Sequence, residues 1–108
     1  MLVQNKFKKD DIISFRISTG EEIVAKLVTE DMTQYIVTRP LALIQTPKGI
    51  GLAPAMVTVD PKEDISYNKA SIISIANPNK QIKDSYFKSV TGLVSGAGID
   101  ADSLKTKN

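Results

Sequence analysis

The chain contains no cysteine and no histidine. Without cysteine there is no disulfide framework, no thiolate metal site and no thiol redox chemistry. Without histidine the commonest metal ligand and the commonest general base are missing too. Together these absences remove most familiar enzyme classes, and neither a cofactor nor a metal is expected. Long apolar runs are also lacking: no stretch approaches the roughly 20 residues a membrane-spanning helix needs, so no membrane partner is expected. Nor is there a large excess of one charge. Fourteen basic against twelve acidic residues leave +2, which neither demonstrates nucleic-acid binding nor opposes it if lysines gather on one face. Met1 to Asp11 has lysines but no following apolar stretch and no small-residue cleavage site, so it does not read as a secretory signal. A cytoplasmic location is expected.

What is present fits one ordinary globular domain. At 108 residues the chain can bury one core but not two, and 42% apolar with 24% charged residues is neither a disordered nor a membrane composition. Ile13, Phe15 and Ile17 alternate with Ser14, Arg16 and Ser18, the period of a half-buried strand. Gly20 supplies the positive φ a tight hairpin needs. A second strand over Glu22 to Glu30 sets Ile23, Ala25, Leu27 and Thr29 against Val24, Lys26 and Val28. Glu30 to Thr33 turns the chain into a third strand, Gln34 to Gln45. Pro40 cannot donate a ladder hydrogen bond and marks a bulge or an edge within it, so the strand is strongly bent. Thr46 to Gly49 is a turn by composition. A fourth strand is centred on Met56 to Val59, with Asp64 to Tyr67 as its extension, and a fifth runs from Ala70 to Ile75 after an Asn68-Lys69 turn.

After Ala76 the period changes. Asn77 and Pro78 form a cap and first-turn pair, and Ile82, Tyr86, Val90 and Leu93 recur at helical spacing, which predicts a helix from about Pro78 to Thr91. Gly92, Gly96 and Gly98 then lead into a polar ending, and residues 94–108 are expected to be a flexible tail. The adjacent acids Asp10-Asp11, Glu21-Glu22, Glu30-Asp31 and Glu63-Asp64 resemble catalytic carboxylate pairs. Adjacent strand residues point to opposite faces, however, so these read as polar punctuation at strand ends. With no His or Cys partner no serine has an evident general base. The expected fold is mainly β, five bent antiparallel strands followed by one helix, and the protein is not expected to be an enzyme.

The stretch from Ile17 to Val37, with Gly20, Leu27 and Asp31 at the motif's spacing, resembles the first motif of the Sm-like proteins. The run Tyr67-Asn68-Lys69-Ala70-Ser71-Ile72 is similar to the second, in either its Ile-Arg-Gly or its Tyr-Lys-His-Ala version. The proline-interrupted stretch Ile50 to Val59 and the C-terminal helix look most like the Sm-like proteins carried by marine cyanophages. That resemblance implies a small, strongly bent five-stranded antiparallel barrel (residues 1–93 with the helix). Its fourth and fifth strands would pair with neighbouring copies into a homo-oligomeric ring of about five to seven subunits, leaving no strand edge exposed. Family members generally carry an N-terminal helix that packs on the barrel; Met1 to Asp11 is short and lysine-rich here, and the helix after Asn77 is the candidate to take that place.

The resemblance also implies a site. Relatives hold single-stranded RNA where the loop after the second strand meets the turn before the last one, using a stacking, an edge-reading and a basic side chain. Carried over, the stacking position falls on Thr33, the asparagine position on Tyr35 and the basic pair on Asn68 and Lys69, with Gln34 able to hydrogen-bond if the loop slips by one residue. Gly20 and Asp31 take loop-ordering roles. Each residue has a plainer reading: Tyr35 as a packed strand aromatic, Asp31 as a turn residue bonding its own backbone, Lys69 as a solvated turn lysine. Lys6, Lys8 and Lys9 either add a basic face or solubilise the terminus. The rival to RNA binding is a protein-interaction scaffold whose helix presents Ile82, Tyr86, Phe87 and Val90 to a partner, unless that stripe packs on its own barrel.

Overall fold

Alternation of apolar and polar residues from Ile13 onward, after a buried Ile12, gives the first strand, β1 (Ile12–Ile17), with Ile13 and Phe15 fully buried. The computed structural model describes residues 6–95, with side chains through residue 91. In it, β2 (Glu22–Glu30), β3 (Gln34–Thr46), β4 (Gly49–Pro54), β5 (Asp64–Asn68) and β6 (Ile72–Ala76) follow β1, and a helix, α1 (Lys80–Ser95), closes the order. All ladders are antiparallel, in the order β4-β3-β2-β1-β6, with β5 pairing the first half of β3. The fold is mainly β with one C-terminal helix, as expected. The sheet is open: among the described residues no ladder joins β6 to β4 or β5.

The sheet is strongly curled. Strands lie about 4.8 Å apart, so a flat sheet would hold β5 about 14 Å from β1 with β3 and β2 between them. Instead the Phe15 and Tyr67 rings meet edge to face with centroids 5.0 Å apart. Two bulges between β2 and β3 help to curl it, since an extra residue on one strand raises the local bend and twist. Val24 faces Leu41 but Lys26 faces Thr38, which leaves Arg39 and Pro40 opposite Ala25. Arg39 takes a φ of 50° there. Leu27 faces Val37 but Thr29 faces Ile36, so Val28 is the extra residue of the second bulge. Pro40 is therefore part of a bulge, one of its two expected roles. The core inside the curl is Phe7, Ile13, Phe15, Ile23, Ala25, Leu27, Val37 and Ala42.

Four details differ from expectation. Thr29 is exposed, because the bulge at Val28 breaks the alternation, and Val24 is fully buried beside its cross-strand partner Leu41. Met56 to Val59 lies outside any strand, with Val57 80% exposed. The β3 edge is instead filled by Gly49–Pro54 along its second half and by Asp64–Asn68 along its first, so six strands replace five. The segment between β5 and β6 is a 310 turn, Lys69–Ser71, which delays the last strand to Ile72. Finally, the lysine-rich start has a structural role. Phe7 is 5% exposed within the core, and the Asp10 N–H donates to Leu27 O while the Leu27 N–H donates to Asp11 O, both at 2.8 Å, tying the segment to β2.

Contacts divide the chain after Pro78, with the strands in one unit and the helix in the other. The helix is capped two residues later than expected: the Asn79 side chain, not Asn77, accepts the Ile82 N–H at 2.8 Å. It continues through Gly92 to Ser95, so residues 94 and 95 are helical, and the rest of the expected tail lies outside the described residues. Among the described residues no helix is long and apolar enough to cross a membrane.

Candidate functional site

All five candidate RNA-binding residues come together at one end of the sheet. The β2–β3 hairpin pairs Glu30 with Tyr35, and Asp31 N–H donates to Gln34 O at 3.0 Å, leaving Met32 and Thr33 as the turn. The Asp31 side chain bonds within this turn. Its Oδ1 accepts from the N–H groups of Thr33 (2.9 Å) and Gln34 (3.0 Å) and from the Thr33 hydroxyl (3.2 Å), and its Oδ2 accepts from Gln34 Nε2 at 3.1 Å. These bonds favour the charged form, the Thr33 N–H most, and hold the carboxyl below its ordinary range. Gly20 orders the β1–β2 turn at the required positive φ of 100°, and its carbonyl accepts from the Arg16 guanidinium at 2.9 Å.

The second loop reaches the same place through β5. Gln34 faces Asn68 and Tyr35 faces Tyr67 across the ladder, and Lys69 N–H donates to Thr33 O at 2.8 Å, joining the two loops through their backbones. Asn68 caps the 310 turn, its side chain accepting the Ala70 N–H at 2.9 Å. Lys69 turns back across the sheet. Its Nζ lies 2.6 Å from Glu30 Oε2 and 4.8 Å from the centroid of the Tyr35 ring, over its face. The bond to Glu30 raises the Lys69 pKa, and burial, followed by the Glu30 charge, raises that of the Tyr35 hydroxyl. Burial likewise raises that of Tyr67.

The arrangement corrects the picture of a solvated lysine. Lys69 is an ion-pair and cation–π partner, and the Asn68, Thr33 and Gln34 side chains are bonded to their own turns. Glu30 is polar punctuation by its place at a strand end, yet its side chain is only 14% exposed and pairs with Lys69. No local signal announces this, because its partner lies 39 residues away. The one large apolar group projecting from the turn is Met32, 92% exposed. Chemically the site offers a half-buried aromatic, backbone edges and one ammonium against two carboxylates. Among the described residues no cluster of three His, Cys, Asp or Glu side chains could hold a metal. An open groove at the Gly20 turn, lined by Glu21, Glu22, Leu43 and Ile50, includes none of the five residues. No family model and no curated protein matches the chain.

Proposed function

We propose that this chain is an Sm-like subunit that assembles edge to edge into a homo-oligomeric ring and holds single-stranded RNA where the β2–β3 turn meets the 310 turn. The observation that carries this reading is the 2.8 Å bond from Lys69 N–H to Thr33 O, which unites two loops 36 residues apart in one surface. Tyr35 and Met32 then offer apolar contact to a base, and Gln34 and the turn backbone offer polar edges. Lys69 acts by holding the Tyr35 ring as much as by meeting a phosphate.

Assembly is supported by the edges. β5 and β6 are five residues each, and among the described residues each is paired on one flank only. Joining β5 of one copy to β6 of the next is a head-to-tail contact, which generates a ring wherever its rotation closes.

A second reading, a scaffold ring without RNA, is favoured by one observation: Glu30 and Asp31 outweigh Lys69 in charge at the site. Polarisation of a fluorescent oligo-uridine separates the two. RNA binding should weaken steeply with salt and fall in Lys69→Gln, with folding checked by circular dichroism. A ring that leaves the probe unbound at low salt establishes the scaffold instead.

A further inference from the structure

We infer that the exposed face of α1 is a second contact for single-stranded nucleic acid, with Phe87 as a platform for one base and Lys83 and Lys88 as partners for the flanking phosphates. This surface shares its ligand class with the loop site above but none of its residues. Helical periodicity places Lys80, Lys83, Asp84, Phe87, Lys88 and Thr91 on one side of the helix, and all six are exposed. Phe87, at 46% exposure, is the exposed aromatic among the large apolar side chains left open to solvent in the described residues. The Tyr86 ring stands edge-on to it, with centroids 6.0 Å apart at 66°, which restricts the orientations of the platform.

The charges around the ring are uneven. Lys80 Nζ lies 2.8 Å from Asp84 Oδ2, one turn away, so this pair cancels locally. Lys83 and Lys88 form no salt bridge among the described residues, and three ammonium groups face one carboxylate. From Lys83 to Lys88 the helix rises about 7.5 Å, with Phe87 between them.

A bilayer surface needs a broad apolar face, and among the described side chains the apolar part of this face is one ring. An apolar protein groove would accept Phe87 but strip water from the Lys83 and Lys88 ammonium groups, which have only the shared Asp84 carboxylate near them. A single strand uses both features, because every base has a π-face and every nucleotide a phosphate.

The chain has no tryptophan, so Phe87→Trp makes position 87 the sole indole, whose emission reports stacking directly. Titrating the full-length variant with oligo-uridine should quench that emission along the same curve as the polarisation of the labelled oligomer. Lys83→Glu combined with Lys88→Glu should abolish the quench and weaken binding by about tenfold or more. Quenching that persists in Lys69→Gln shows that the helix surface binds on its own. If the oligomer binds but the indole is unchanged and the double charge variant binds like the parent, this inference is overturned while the loop reading stands. Emission that shifts with phosphatidylserine vesicles and not with oligo-uridine assigns the face to lipid and also overturns it. No binding by either probe removes both this surface and the loop site.

Discussion

Glu30 and Lys69 show how one side-chain pair can carry both the order of a site and part of its stability. The Glu30 carboxylate is largely buried, and its partner approaches from the far loop. Removing the ammonium alone leaves a desolvated charge, which costs about 1–3 kcal/mol, whereas removing both charges avoids that penalty. Lys69→Met should therefore lower the urea midpoint, and adding Glu30→Gln should restore part of the loss, at fixed protein concentration. Additive losses would show that the two groups are not coupled. Asp31 gives a pH signature. Its folded-state pKa lies below the ordinary 3.8, so its contribution is complete above that value and disappears as pH falls through the folded value. Stability measured below pH 3.8 should drop by a component that Asp31→Asn lacks; an unchanged acid limb in Asp31→Asn would place the acid sensitivity in other carboxylates.

Elements differ in how much of their placement is local. The alternation in β1 and β2 and the turn at Gly20 were legible because a strand's period and a positive φ are short-range properties. An ideal Cβ at Gly20 would meet nothing within 4 Å, so the whole cost of Gly20→Ala lies in the backbone at φ +100°. It should amount to about 1–2 kcal/mol in thermal or urea unfolding, and a neutral variant would show that the turn can relax to a negative φ. The fourth strand was not legible, because Met56 to Val59 has strand-like residues and lost to segments of weaker propensity. Register decided it: Gly49–Pro54 follows a tight turn back along β3, and Asp64–Asn68 takes the remaining length. The meeting of Thr33, Tyr35, Asn68 and Lys69 was legible through the resemblance. Glu30 was not, since its role depends on a contact between loops, and Phe7 was hidden in a segment whose lysines dominate its composition.

At the scale of the molecule the open sheet poses the question of what its edges do. Unpaired strands of this kind are templates for association, and a specific seam can be tested without touching the core. The Lys69 N–H to Thr33 O bond fixes the hydrogen-bonding phase of the β3–β5 ladder. Antiparallel pairs alternate, so Tyr67 and Ile65 direct their N–H groups to β3, whereas Ser66 directs its own outward, to the open edge. Ser66→Pro removes that outward donor while keeping every bond to β3, and proline is tolerated on an edge in this position. If β5 is the seam, the variant should keep its far-ultraviolet spectrum and cooperative unfolding, yet light scattering should find it near the 11.8 kDa of a single chain where the parent gives a multiple of that mass. A variant that still assembles would move the seam away from β5, to the exposed Ile50, Met56 and Val57 beside β4. A parent that is itself monomeric would remove the ring, and with it the multiplication of the loop site on which weak binding by one protomer depends.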